Sequence, residues 1–84
     1  MREIEYDIDY SLFTVPDTII IVRFFNTIID TKTKKINKEL LLERYNEYRT
    51  VLNNKSLEKK YDKMLQSKAD ISIYKTMKNI LESR

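Results

Sequence analysis

Apolar residues recur along this chain with two different periods. From Thr18 to about Lys32, residues Ile21, Phe24, Phe25, Ile28 and Ile29 return every three or four positions. That spacing lays one face of an α-helix against a core. Thr14-Val15-Pro16-Asp17, just ahead of it, reads as a helix start, because proline suits the first turn and an aspartate complements the positive helix end. Ile19 to Val22 are all β-branched, which leaves a rival: a hairpin pairing residues 3–10 with 18–25 beneath a helical cover. A second helix follows Asn37, a good N-cap, with the stripe Leu41, Tyr45, Tyr48 and Leu52. Asn53-Asn54 interrupts it. A third helix, capped by Asn54 or Ser56, carries Leu57, Tyr61, Met64 and Leu65. Gln66-Ser67-Lys68-Ala69 predicts the next break. Asp70 is then predicted to cap a fourth helix bearing Ile73, Met77, Ile80 and Leu81, with Ile71 and Tyr74 alongside.

Ahead of these helices the period is two. Ile4, Tyr6, Ile8, Tyr10 and Leu12 alternate with polar residues, so residues 1–15 are predicted to form an extended arm. The expected fold is all-α: a small bundle of three to four helices with an extended N-terminal arm. It makes one domain over residues 1–84, the arm over 1–15 and the helical body over 16–84. The short linkers predict consecutive helices packed antiparallel or at moderate angles. Phe25, Leu41, Tyr45, Leu65 and Ile80 are predicted to be buried in one cluster.

Composition supports this picture. The chain has 84 residues, 42% of them hydrophobic, enough to fill the core that so short a domain needs. It has no glycine and one proline, which disfavours a turn-rich, many-stranded fold. It also lacks cysteine and histidine. Disulfides and Cys- or His-ligated zinc are thereby excluded, and the missing thiols fit a reducing compartment. The first residues, Met1-Arg2-Glu3-Ile4-Glu5, do not read as a signal peptide. The longest apolar run, Ile19 to Val22, is far short of the ~20 residues that span a bilayer. A cytoplasmic location away from membranes is expected.

The net charge of +3 hides an asymmetry. Residues 1–31 carry two bases against six acids, a balance of −4, whereas residues 32–84 carry fourteen against seven, a balance of +7. An acidic arm lying on a basic helical body accounts for this. So does a basic face for an acidic partner.

Candidate chemistry is sparse. Without histidine the commonest general base is missing, and neither a Ser-His-Asp nor a Cys-His arrangement is possible. Without glycine there is no Gly-rich phosphate loop. Asp7 and Asp9 form a near pair of carboxylates, but an alternating arm leaves them solvated and short of a magnesium site. No catalytic residue, cofactor or metal is therefore expected. Lysines cluster at 32, 34, 35 and 38, at 55, 59, 60 and 63, and at 75 and 78, as phosphate-binding patches do. Glu39, Glu58 and Asp62 are interleaved with them, which is also the composition of a solvated helical face. Lys55, Glu58 and Lys59 share one helical surface at i, i+3 and i+4, as either a local Lys–Glu pair or a contact for a partner. Tyr6 and Tyr10 on the arm either pin it to the bundle or meet a partner.

Several stretches resemble a known family. Phe24-Phe25 is followed eleven residues later by Ile36, then by Leu41, Tyr45 and Tyr48-Arg49. Lys55-Ser56-Leu57-Glu58-Lys59 and Ser72-Ile73-Tyr74-Lys75 come after these. Tyr6-Asp7-Ile8-Asp9-Tyr10 is similar to the family's opening motif. With this spacing the chain resembles, as a divergent member, the YktA-like proteins of low-GC Gram-positive bacteria, uncharacterised protein family 0223. It departs from that pattern at Asp7 and Asn53, where the family carries proline, at Leu12 for tryptophan, and at Lys35 and Asp70 for glycine. One residue is inserted before the first helix. The resemblance implies an all-α bundle, supports helix over strand for residues 18–32, and implies no activity. The expectation is a non-enzymatic protein-binding or regulatory module with an unidentified protein partner. The alternatives are a nucleic-acid-binding accessory protein and a small phage- or plasmid-type inhibitor.

Overall fold

The computed structural model describes Tyr6 and residues 8–82. Among these residues there are four α-helices, one short 3-10 turn and no strand. Helix α1 spans Val15–Asp30 and includes the β-branched run, so the hairpin alternative does not form. Thr14 caps it, accepting a hydrogen bond from the Asp17 N–H at 3.2 Å. Isoleucine in a helix costs about 0.5 kcal/mol relative to alanine. Burying a large apolar side chain returns about 1.5–3 kcal/mol. The buried face of α1 is Ile21, Phe24, Phe25 and Ile28, none of which reaches solvent, so burial outweighs local propensity.

Helix α2 spans Lys38–Leu52, and Asn37 caps it by accepting from the Glu39 and Leu40 N–H groups. It ends at Asn53, which adopts the left-handed conformation at φ 42°. The next residue, Asn54, caps α3 by accepting from Ser56 and Leu57. Two asparagines thus stop one helix and start the next.

Helix α3 spans Lys55–Ala69, and here the structure corrects the predicted break. Gln66, Ser67, Lys68 and Ala69 continue the helix. None is a strong breaker, Ala69 is buried, and the Lys32 ammonium donates to the Ala69 carbonyl at 2.9 Å. Asp70 is the left-handed C-cap of α3, at φ 55°, and not the N-cap of a fourth helix. Helix α4, Ile73–Glu82, starts from a cap supplied partly across the bundle. Ser72 Oγ accepts from the Lys75 N–H, while the Asp62 carboxylate of α3 accepts from the Ile73 N–H at 2.8 Å and from the Ser72 hydroxyl at 3.4 Å.

The helices enclose an aromatic centre. Phe24 stacks on Tyr48 with ring centroids 4.4 Å apart, and Phe25 meets Tyr48 and Tyr61 edge-on at 5.6 and 5.9 Å. Ile21, Ile28, Leu41 and Leu65 fill the space around them. Of the five predicted core residues, Phe25, Leu41 and Leu65 are fully buried. Tyr45 and Ile80 are only partly buried against the cluster.

The described part of the arm is docked. Ile8 is buried, and the Tyr6 ring lies 5.1 Å from Phe25 while its hydroxyl donates to Asn26 Oδ1 at 2.6 Å. Asp9 follows. Its N–H donates to the Tyr61 hydroxyl oxygen at 3.2 Å, and its carboxylate pairs with Lys60 at 2.7 Å. The alternating pattern then stops, because Tyr10–Leu12 form a single 3-10 turn. Tyr10 and Leu12 consequently face solvent at 60% and 61% exposure. Ile4 and Asp7 lie outside the described residues.

Candidate functional site

The residue types that give α2 and α3 their buried stripes also leave a groove between them, closed at one end by the start of α4. Its volume is about 620 Å³. Tyr45, Tyr48 and Arg49 line it from α2, and Lys55, Glu58, Lys59, Asp62 and Gln66 from α3. Ser72, Ile73, Tyr74 and Lys75 complete it. The α3 contributors fall at i, i+3, i+4, i+7 and i+11, a single helical face. A second hollow continues from it toward Asn53-Asn54 and shares Arg49, Lys55 and Glu58.

Electrostatics divide this groove. Arg49, Lys55, Lys59 and Lys75 are exposed, and among the described residues none of them forms an ion pair. Arg49 lays its guanidinium 5.5 Å from the Tyr45 ring centre, a cation–π contact. Glu58 and Asp62 are half-buried, and Asp62 is already engaged by Ile73 and Ser72. Beneath them lies Tyr48, only 1% exposed. Its hydroxyl has no hydrogen-bond partner among the described residues. Burial, first, and then the neighbouring Glu58 and Asp62 carboxylates push that phenol well above the usual tyrosine range. The proton therefore stays on at neutral pH, leaving a desolvated group able to donate or accept one hydrogen bond. A buried polar group without a partner is uncommon.

The structure brings Lys55, Glu58 and Lys59 together in this groove. The local Lys–Glu pair does not form: neither lysine is in salt-bridge range of Glu58. Tyr6 and Tyr10 lie elsewhere, Tyr6 against Phe25 and Asn26 and Tyr10 in solvent. Sequence reasoning missed Tyr48, because a tyrosine on a core stripe gives no sign of whether its hydroxyl finds a partner. It also missed the contribution of Ser72 to Lys75, although these residues carry part of the family-like pattern. Among the described residues no three acidic side chains converge as a metal site, and no helix is long and apolar enough to cross a membrane.

Comparison with known sequences places the chain. A family model matches residues 3–84, nearly the whole length. The chain belongs to the uncharacterised protein family UPF0223. It is 33% identical over 75 residues to a UPF0223 protein of Bacillus cytotoxicus, covering 89% of this chain and 83% of the relative. It is 30% identical over 80 residues to a UPF0223 protein of Bacillus mycoides, covering 95% and 89%. No solved structure matches the chain. The match includes every residue of the groove, and the all-helical architecture that the resemblance implied for UPF0223 is the one the structure has.

Proposed function

We propose that this UPF0223 chain is a cytoplasmic, non-enzymatic protein-binding module and that the groove between α2, α3 and the start of α4 is its docking surface. The observation that carries this reading is the combination inside one concavity. Among the described residues, four exposed cations lack ion pairs, three tyrosines supply the walls, and one buried hydroxyl lacks a hydrogen bond. Aromatic and arginine side chains are the types that dominate binding energies at protein interfaces. The absence of cysteine supports the cytoplasmic assignment.

A nucleic-acid role draws on the +7 body but finds less support. Lys32 and Lys60 are engaged within the fold, and Lys68 also has a partner, so the basic count overstates the free positive surface. A photo-crosslinking residue at Tyr74, combined with the double reversal Lys55→Glu and Lys59→Glu, tests the proposal. Circular dichroism should show the double variant folded. It should lose the crosslinked partner that the parent captures in its native host. A folded double variant that retains the partner unchanged overturns the groove as the docking surface.

A further inference from the structure

The molecule contains two deeply buried tyrosines on adjacent helices, and one of them shows what the other lacks. Tyr61 is fully buried, and its hydroxyl oxygen accepts the backbone N–H of Asp9 at 3.2 Å. The carboxylate of that same Asp9 reaches Lys60, next to Tyr61 on α3, at 2.7 Å. The segment supplying both contacts is acidic and turns tightly at Asp9, the Tyr10 N–H donating back to the Ile8 carbonyl at 3.0 Å. One residue thus delivers a backbone donor to a buried phenol and a carboxylate to a neighbouring lysine. In the groove, among the described residues, Tyr48 has no such donor, and Lys55, Lys59 and Lys75 have no carboxylate.

We infer that the groove takes an acidic segment of a partner protein, in which one acidic residue directs its carboxylate to the Lys55–Lys59 side of the rim and, with the groove side chains that cover it displaced, donates its backbone N–H to the Tyr48 hydroxyl oxygen. This rests on the groove being the docking surface and adds the chemistry of what docks. Two further observations fit it. Glu58 and Asp62 make the surroundings of the Tyr48 hydroxyl negative, which favours that oxygen as an acceptor facing an N–H dipole and disfavours a bare anion there. Lys55, Lys59 and Lys75 are exposed whereas Glu58 and Asp62 are half-buried, so the cations are the charges more open to an incoming carboxylate. Tyr48 is therefore a specificity-determining residue: it reads the backbone of the segment, while the lysines read its charge.

The probe is a dye-labelled synthetic peptide copying residues 6–12, Tyr6-Asp7-Ile8-Asp9-Tyr10-Ser11-Leu12, since its Asp9 already makes the inferred pair of contacts, backbone N–H to a tyrosine hydroxyl and carboxylate to a lysine, within the fold. It is titrated into the full chain, with anisotropy and amide chemical-shift mapping as readouts. The expected result is saturable binding that weakens with salt, with shifts at Lys55, Lys59 and Tyr74. Tyr48→Phe keeps the ring and removes only the hydroxyl, so it should fold like the parent and bind about fivefold more weakly. Lys55→Ala with Lys59→Ala should weaken binding further, and a peptide with both aspartates changed to asparagine should lose it. Three outcomes overturn the inference. One is no binding up to millimolar peptide. Another is affinity indifferent to Tyr48→Phe. The third is shifts concentrated at Phe25 and Tyr61, which would mean that the peptide merely exchanges with the arm, as the arm of a second copy would. If the peptide fails while the Lys55→Glu, Lys59→Glu variant still loses its crosslinked partner, the docking surface stands and the acidic-segment chemistry is wrong.

Discussion

Tyr48 and Tyr61 are both buried, both pack against Phe25, and meet opposite fates at their hydroxyls. The arm side of the bundle is a completed interface: Ile8 fills the apolar part, Asp9 satisfies Tyr61, and Lys60 is neutralised. The groove side offers the same kinds of group with nothing among the described residues to complete them. A tyrosine ring contributes area to a core wherever it lies, but its hydroxyl contributes only if a partner meets it, and otherwise opposes folding through its desolvation. One bundle thus shows the cost of an interface and the contact that offsets it.

The strongest perturbation removes what the two sides share. Phe25→Ala deletes the ring that touches Tyr6, Tyr48 and Tyr61, and should destabilise the protein by about 3–5 kcal/mol. That is a large part of a small domain's total stability. Thermal unfolding within a few degrees of the parent would break the picture of one aromatic centre serving both sides.

Deleting residues 1–9 tests the completed side alone. It removes the buried Ile8, the Tyr6 contacts and the Asp9 contacts, for an expected loss of about 2–4 kcal/mol by denaturant titration. An unchanged midpoint would mean that the arm adds no net stability and that both sides are open.

The subtlest test compares two hydroxyl deletions. Tyr61→Phe should destabilise by about 1 kcal/mol, because the Asp9 N–H loses its acceptor. Tyr48→Phe should leave the melting temperature unchanged or raise it, since no bond is lost. High pH sharpens the contrast. Tyr48 and Tyr6 both hold their protons more tightly in the folded state than the ordinary value of 10.0, Tyr48 through burial first and Tyr6 through burial and then Asp30. The folded chain therefore binds more protons than the unfolded one above about pH 10, so stability is fully present below that pH and falls as pH rises beyond it. The fall should be shallower in Tyr48→Phe. An identical alkaline profile would show that Tyr48 is not the desolvated group.

Much of the frame was legible from pattern alone. Apolar spacing located α1 to α3 and the fully buried Phe25, Leu41 and Leu65; the capping preference of Asn37 marked one start, and of the alternatives Asn54 and Ser56 for the next it is Asn54 that caps. The misread joint before α4 has a specific cause. Asp70 has the side chain of an N-cap, but its backbone is left-handed, which closes α3, and the capping of α4 falls to Ser72 with help from Asp62 ten residues earlier. A long-range cap leaves no local trace. The family pattern offered a clue, since glycine at the position of Asp70 signals a positive φ. The alternation through Tyr10 and Leu12 overstated the docked arm, because period two does not reveal where a segment leaves its surface. The groove was legible only in its lysines. Its concavity depends on how α4 begins against α2 and α3, which is tertiary geometry.

The joints between helices have a consequence for binding. Asn53 and Asp70 take left-handed conformations that glycine would reach more readily, and they end α2 and α3, the two helices that line the groove. Asparagine and aspartate tolerate that region at modest cost, yet sample far less of backbone space than glycine elsewhere. Corners of this kind limit the backbone conformations open to the helix ends that border the groove. For the segment proposed to dock there, less backbone entropy is then lost on the receptor side, one of the costs that limits the affinity of a small interface.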